Sequence, residues 1–339
     1  MKANQYLYFL IQLEIIMLNK TTVLILLSLV VNLSCSVRSQ PGTRKISNPI
    51  MPGYFADPTV VKDKDSYYIY ATIDPWGGEE LAVFETKDFL KFKRHHLNWP
   101  KKSLCTSPTS NEHKVWAPSV VKGTDNNFYM YVSVGSEVWA GVSANPLGPW
   151  KNLKEDNSPL IKFTDFPDMH NIDADCFIDD DGQAYLYWGS GWNWVNGHCM
   201  AVKFKKDMKT FDGAPLEVTT PHYFEAPHMI KRNGKYYLMF SEGKAIDATY
   251  QIGYATSNSP LGPFTEPEQR VILRTASDSS IVGPGHHTVF RAKNQDYILY
   301  HRIFPQRKDY VLRQLCLDSL NFDQTGNIKK VSTKGVKLF

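Results

Sequence analysis

Short apolar strands alternate with polar turns from residue 57 to about residue 300, and the pattern repeats five times. Each copy starts with an apolar strand, continues through a polar turn and ends in an aromatic strand rich in tyrosine. The copies open at Asp57, Ala117, Asp173, Ala226 and His286, and so recur every 53 to 60 residues. Strand-forming repeats of this size are typical of propeller blades. We therefore predict an all-β fold, a single-domain five-bladed β-propeller over residues 48–339.

Each copy carries a third alternating strand after its aromatic strand, which suits a half-buried position. A fourth, outer strand per blade is expected from the architecture, although its pattern is weak. The tail that begins at Gly326 is expected to close the ring by pairing with the N-terminal blade.

Residues 1–40 have the pattern of a signal peptide and linker. The apolar run of residues 21–31 has signal-peptide length and is shorter than the ~20 residues of a membrane-spanning helix. A small residue before Cys35 is typical of a lipoprotein cleavage site, and plain secretion with cleavage near Ser39 is the alternative. Translation starts at Met1 or Met17. We predict an exported bacterial protein, either periplasmic, extracellular or an outer-membrane lipoprotein, whose only membrane contact is a lipid anchor at Cys35.

The composition narrows the classes of partner. The net charge is +4, and lysine and arginine form no long run, which argues against nucleic-acid binding. The cysteines beyond the leader are scattered, without metal-type spacing, and buried free thiols are favoured over disulfides. These residues are Cys105, Cys176, Cys199 and Cys316.

The register of the repeat predicts an active site. The first strand of each propeller blade lines the central channel, so the residues that open these strands meet at one mouth. Asp57, Asp173 and His286 hold such positions, while Trp116 and Glu225 immediately precede two others. Carboxylates brought together in a partly dry site push their pKa values apart, which an acid and base catalyst requires.

Two carboxyl groups on either side of a scissile bond perform glycoside hydrolysis. Glu225 lies between Phe224 and the Ala226-Pro227 pair, and an apolar flank raises the pKa of a carboxyl group. Glu225 is therefore the candidate general acid. Asp57, across the ring, is the candidate general base.

The motifs at these positions, in their order along the chain, resemble those of glycoside hydrolase family 43. The resemblance covers about residues 48–335. It rests on Ala56-Asp57-Pro58, Trp116-Ala117-Pro118, Ile172-Asp173, Glu225-Ala226-Pro227 and Gly285-His286. It implies that Asp57 is the general base, that Glu225 is the general acid, and that Asp173 orients this acid and tunes its pKa. It also implies inversion at the anomeric carbon, with carboxyl groups about 6.5–9.5 Å apart.

The resemblance extends to substrate and metal binding. Trp116, Arg302 and His286 are expected to contact the sugar, and His286 is also expected to approach a structural calcium ion in the channel, through water. The chemistry itself needs no cofactor. The chain departs from the family pattern at Ala174, where proline is usual, and the nearby Asp175 is a rival for the tuning role of Asp173. His287 is a rival for the role of His286.

The resemblance implies hydrolysis of α-L-arabinofuranosyl or β-D-xylosyl linkages in side chains of plant hemicellulose or pectin. Endo-acting xylanase or arabinanase activity and exo-β-1,3-galactanase activity are alternatives on the same scaffold. A catalytically inactive carbohydrate-binding propeller is an alternative of another class. The segments 97–113 and 188–198 are expected to narrow the cleft. One or two of four tryptophans are expected to stack on sugars: Trp139, Trp188, Trp192 and Trp194.

Overall fold

The computed structural model describes residues 45–304 and 311–337. The predicted leader, its cleavage site and Cys35 lie outside these residues. The regular secondary structure of the described part consists of strands and one short 3-10 turn, Phe163–Asp165. It includes no helix with the length and apolar character needed to cross a membrane.

Five antiparallel sheets form the blades, and each is built in chain order from the inside outward. The innermost strands are β2 (Phe55–Asp63), β6 (Val115–Lys122), β10 (Asp175–Ile178), β14 (Glu225–Arg232) and β17 (Gly285–Ala292). The second strands are β3 (Ser66–Ile73), β7 (Phe128–Val134), β11 (Ala184–Trp188), β15 (Lys235–Glu242) and β18 (Gln295–Ile303). The third strands are β4 (Ala82–Thr86), β8 (Glu137–Ser143), β12 (Met200–Lys203), β16 (Gln251–Ser257) and β19 (Arg313–Leu320).

The innermost strands contact one another in the cyclic order β2, β6, β10, β14, β17 and back to β2. This ring of five sheets confirms the predicted five-bladed propeller. The expectation of a fourth strand in every blade is only partly met. Among the described residues, blades one to three have an outer strand, while blades four and five have three strands each. The outer strands are β5 (Lys93–His95), β9 (Lys151–Asn152) and β13 (Leu216–Glu217).

The two ends of the described chain meet in a small separate sheet. Strand β1 (Lys45–Ile46) pairs antiparallel with β20 (Val336–Lys337). The sequence pattern placed this pairing in the tail from Gly326 onward. The residues that pair lie about ten positions further along the chain. The segment near Gly326 instead closes on itself through a bridge between Phe322 and Ile328.

The hydrophobic core is divided into five clusters, one at each interface between neighbouring blades. The aromatic strands of the repeat supply much of it. Tyr70, Tyr131, Tyr187 and Tyr300 are fully buried. The four cysteines of the described residues are buried and free, as predicted.

The residues that open the five repeats share an unusual backbone conformation. Their φ angles are 49° at Asp57, 48° at Ala117, 59° at Asp173, 54° at Ala226 and 39° at His286. A positive φ costs a non-glycine residue about 1–3 kcal/mol, and such strain concentrates at functional sites. In four blades this residue lies inside a β-bulge of the innermost strand. The bulge redirects the strand at the mouth of the channel.

Candidate active site

The opening residues of the repeats line one cavity of about 320 Å³. The structure brings together Asp57, Asp173, Glu225, His286 and Trp116 in its wall. The side chains of the three carboxyl residues come from three different blades and are almost completely buried. The convergence expected from the repeat register is therefore present.

Asp57 presents one oxygen to the protein and leaves the other free. Its Oδ1 lies 2.9 Å from a guanidinium nitrogen of Arg313, 3.2 Å from Nδ1 of His301 and 3.3 Å from Nδ1 of His286. Its buried Oδ2 has no hydrogen-bond partner among the described residues. A carboxylate that acts as a general base accepts the proton on such a free oxygen.

Arg313 keeps Asp57 ionised. Burial by itself would raise the pKa of Asp57, but the positive charge of Arg313 holds that pKa well below its usual range. Asp74 fixes the arginine, because its carboxylate lies 2.6 Å from Nη2 and also accepts the backbone N–H of Arg313. The sequence analysis missed Arg313 and Asp74.

Glu225 occupies the opposite electrostatic setting. Burial, aided by the charge of Asp57, raises the pKa of Glu225 to about 7, while two hydrogen bonds oppose the rise. The Tyr250 hydroxyl donates to Oε1 at 2.7 Å, and the Ser190 hydroxyl donates to Oε2 at 3.0 Å. A carboxyl group with this pKa exchanges its proton near neutral pH, which suits a general acid.

Asp173 resembles Glu225 and differs from Asp57, because its pKa is also raised. Burial, followed by the charges of Glu225 and Asp57, raises the pKa of Asp173 well above its usual range. Asp175, the rival for the tuning role, points elsewhere. Its carboxylate contacts Ser119 and His228 of the neighbouring blades, at 3.2 Å in each case.

Neighbouring blades are joined by a hydrogen bond that recurs at four of the five junctions. At one position of the second strand, a side chain accepts the backbone N–H of the repeat-opening residue in the next blade. The accepting residues are Thr72, Ser133, Ser241 and His301, at 2.8–3.3 Å.

Blade three breaks this pattern, because Gly189 holds the equivalent position and has no side chain. The N–H of Ala226 is bonded to Asp173 instead. The adjacent Ser190 is free to donate to Glu225. The junction between blades three and four is thus held by the functional carboxyl groups.

His286 lies in the cavity wall, as expected. Burial lowers the pKa of His286 to about 4 against the opposing charge of Asp57, so the ring is neutral at neutral pH. Calcium prefers about six to eight oxygen ligands. Arg313 already neutralises the nearest carboxylate, and the described residues include no metal-binding group of three or more His, Cys, Asp or Glu side chains. The residues around His286 therefore do not form the oxygen cage that a directly bound calcium ion requires.

The structure places Arg302 away from this cavity. Its guanidinium bonds Gln314 at 3.0 Å and the carbonyl of Ser280. The arginine of the cavity wall is Arg313. His287 is likewise a fully buried residue outside the wall.

The four candidate tryptophans divide into two pairs. Trp139 and Trp188 are buried in blade packing. Trp194 lines the cavity with the carboxyl groups, and Trp192 lines a neighbouring cavity. Trp76, which the sequence analysis did not single out, lines both cavities, and the Arg313 guanidinium lies 4.9 Å from its ring centroid.

Replacing Tyr250 by phenylalanine should move the alkaline limb of the pH–rate profile to higher pH. The Tyr250 hydroxyl stabilises the ionised form of Glu225 and so lowers its pKa. Without it the pKa rises, and the protonated acid persists to higher pH. We also expect kcat to fall roughly tenfold at the optimum, because the acid loses a positioning hydrogen bond.

The matched control is Tyr131→Phe, which removes a buried hydroxyl bonded to the Met208 carbonyl at 2.8 Å. It should lower Tm without moving the profile. An unchanged alkaline limb in Tyr250→Phe would contradict the assignment.

Comparison with known proteins places this geometry among carbohydrate-active enzymes. The family model described as glycosyl hydrolases family 43 matches residues 46–328. The chain is 33% identical to the beta-D-galactofuranosidase of Aspergillus niger, with 85% of each chain covered. It is 32% identical to a beta-xylosidase of Xylanibacter ruminicola, covering 82% of this chain and 97% of the relative. The crystal structure of a thermostable family-43 glycoside hydrolase superimposes with a TM-score of 0.69 at 26% identity, covering 86% and 97%.

Proposed function

The chain belongs to glycosyl hydrolases family 43, and we propose that it removes single α-L-arabinofuranosyl or β-D-xylosyl residues from plant polysaccharide, with inversion of configuration. Membership of the family makes the chain a glycosidase. We propose the identity of the released sugar, its removal as a single residue, and the inversion at the anomeric carbon.

One observation supports the proposed mechanism above all. Asp57 and Glu225 share a cavity, and their pKa values are displaced in opposite directions. At neutral pH the first is an ionised base, and the second still carries a proton in a substantial fraction of molecules. The cavity volume is at the small end of the roughly 300–1,000 Å³ found for ligand sites, which favours a single sugar ring over a bound chain.

The proposed reaction is one displacement at the anomeric carbon. Asp57 accepts a proton from a water molecule through its free Oδ2, and the water oxygen bonds to the anomeric carbon. The bond from that carbon to the leaving oxygen breaks as Glu225 donates its proton to that oxygen. Asp173, whose own pKa is raised, limits the negative charge around the acid.

A second candidate sugar is supported by the similarity to a galactofuranosidase. β-D-Galactofuranosides and α-L-arabinofuranosides have the same ring stereochemistry. The galactofuranoside carries one additional hydroxymethyl group on the exocyclic chain attached to C4. A cavity that binds a furanose ring therefore distinguishes the two sugars only by the space that it leaves for this chain. Asn193 and Trp194, which line the cavity, are candidates for this choice.

The substrate experiment uses 4-nitrophenyl α-L-arabinofuranoside, β-D-xyloside and β-D-galactofuranoside, followed by arabinan, arabinoxylan and galactan. We expect release of monosaccharide, with the inverted anomer appearing first by NMR. Oligosaccharides of mixed length would indicate endo action instead. Binding without any product would support the inactive carbohydrate-binding propeller.

A further inference from the structure

Arg313 lies between two buried carboxylates and contacts them in different ways. Its Nη2 lies 2.6 Å from Oδ1 of Asp74, and its Nε lies 3.1 Å from the same oxygen and 3.2 Å from Oδ2. Asp57 receives only Nη1, which donates to its Oδ1 at 2.9 Å. The exposed fraction of the side chain is 0% for Asp74 and 3% for Asp57. The arginine thus pairs with Asp74 through one edge of its guanidinium and with Asp57 through a single nitrogen.

The single contact with Asp57 is unusual for an arginine. An arginine and a carboxylate often pair through two parallel hydrogen bonds, which is the stronger geometry. On Asp57 such a pair would occupy both oxygens. Instead, the contacts with Arg313, His286 and His301 all converge on Oδ1, and Oδ2 has no hydrogen-bond partner among the described residues.

Asp74 prevents the two-bond geometry on Asp57. A guanidinium faces a carboxylate with either its Nη1–Nη2 edge or its Nε–Nη2 edge. Because Asp74 engages Nε and Nη2, the second nitrogen of the other edge is not available to Asp57. Asp74 also accepts the backbone N–H of Arg313 at 2.6 Å, which fixes the carboxylate at the start of β19.

Trp76 restrains the same guanidinium from a second direction. Its ring centroid lies 4.9 Å from the central carbon of the Arg313 guanidinium, and such packing on an aromatic ring restricts how the planar group can turn. Asp74 and Trp76 belong to one turn, in which the N–H of Gly77 donates to the carbonyl of Ile73 at 3.0 Å. One short segment between β3 and β4 therefore holds the arginine at its edge and on its face.

We propose that Asp74 is a positioning residue for the general base. By engaging Nε and Nη2 of Arg313, it limits the guanidinium to one oxygen of Asp57 and keeps the other oxygen free to accept the proton of water. The inference rests on the proposed function, in which Asp57 is the base. Asp74 is not part of the cavity wall and acts through Arg313, which is.

The test is a double-mutant cycle of Asp74→Asn and Arg313→Lys, measured on a nitrophenyl glycoside that the wild type hydrolyses and on an unactivated oligosaccharide. Asparagine keeps the shape of aspartate but not its charge, so the guanidinium is released to pair with both oxygens of Asp57. We expect kcat of Asp74→Asn to fall about 10- to 100-fold, as for a changed hydrogen bond to a charged group. KM should change by no more than about threefold. The loss should be equal on both substrates, because activation of water does not depend on the leaving group.

The Arg313→Lys background distinguishes positioning from a general effect on folding. Lysine carries one ammonium group and cannot form two parallel bonds to a carboxylate. In this background Asp74→Asn should therefore cost no more than about a further twofold in kcat. A purely structural role of Asp74 predicts the same loss in both backgrounds, and that result would overturn the proposal. An unchanged kcat in Asp74→Asn alone would overturn it too.

The matched control is Glu242→Gln, which removes the charge of another buried acidic residue. Glu242 pairs with Arg270 at 2.8 Å, outside the cavity of the carboxyl groups. This variant should keep kcat on both substrates. If Asp74→Asn does not fold, the same cycle is run with Asp74→Glu, which retains the charge but moves it relative to the guanidinium. The expected pattern is again a loss that disappears in the Arg313→Lys background, and equal losses again contradict the proposal.

Failure of this inference and failure of the proposed function give different results. If the wild type hydrolyses none of the nitrophenyl glycosides, the proposed function is wrong. The positioning role is then judged by crystal structures of the wild type and of Asp74→Asn, which need no turnover. A guanidinium that contacts both oxygens of Asp57 in the variant supports the inference, and one that stays on Oδ1 contradicts it.

Discussion

Replacing Glu225 by glutamine should slow hydrolysis of an unactivated oligosaccharide by about 10²- to 10⁴-fold, the range of general acid catalysis. The variant keeps the size of the side chain and the acceptor for the Tyr250 hydroxyl, but it has no proton to donate. The loss should be much smaller on a 4-nitrophenyl glycoside, because nitrophenolate is a good leaving group and needs little protonation. The measurement is kcat/KM on both substrates, with initial rates taken across pH.

The pH dependence provides an independent check of this assignment. Glu225 must be protonated to act, so activity should fall as pH rises through its raised pKa, near 7. In Glu225→Gln this alkaline limb should disappear for the nitrophenyl substrate. The control Glu242→Gln should retain both the rate and the limb. Equal losses on good and poor leaving groups would show that Glu225 is not the acid.

The residues that meet at the axis were predictable because the repeat register determines where they lie. Asp57, Asp173 and His286 open equivalent strands, and Glu225 precedes the fourth opening residue. Once five blades were inferred, their convergence followed from geometry alone. The missing hydrogen bond between blades three and four is also visible in the sequence. Gly189 stands where the other four blades carry a hydroxyl or imidazole side chain.

The sequence predicted Arg302 as the arginine of the cavity, but the structure places Arg313 there instead. Successive side chains of a strand point to opposite faces. His301 faces Asp57, so its neighbour Arg302 faces away and bonds Gln314. Arg313 reaches the cavity from the start of a third strand, to which the axial register does not apply.

Trp76 and Tyr250 come from segments between strands, where no repeated pattern exists to place them. Trp76 lies in the connection after β3, and Tyr250 immediately precedes β16. Their positions depend on packing that only the folded chain defines. Tyr250, for example, stacks on His301, with ring centroids 5.7 Å apart. A side chain added at Gly285 would collide with this tyrosine, so the glycine beside His286 is required for the approach.

Replacing Asp57 by alanine should abolish hydrolysis on every substrate, with a loss of about 10⁴-fold or more, at the upper end for general base catalysis. A good leaving group should not rescue the variant, because the missing step is activation of water and not departure of the leaving oxygen. This independence from the leaving group distinguishes Asp57 from Glu225. The measurement is again kcat/KM on a nitrophenyl glycoside and on an oligosaccharide.

Added azide should restore turnover of the nitrophenyl glycoside in Asp57→Ala. The substitution removes a carboxylate from beside Arg313 and leaves space there for a small anion. Azide needs no base, so it attacks the anomeric carbon directly while the glycosidic bond breaks and Glu225 protonates the leaving oxygen. The product should be a glycosyl azide of inverted configuration. The control Asp318→Asn, at a buried aspartate bonded to Tyr300 in blade five, should need no azide. Glycosyl azide of retained configuration, or full activity of Asp57→Ala without azide, would exclude Asp57 as the base of an inverting displacement.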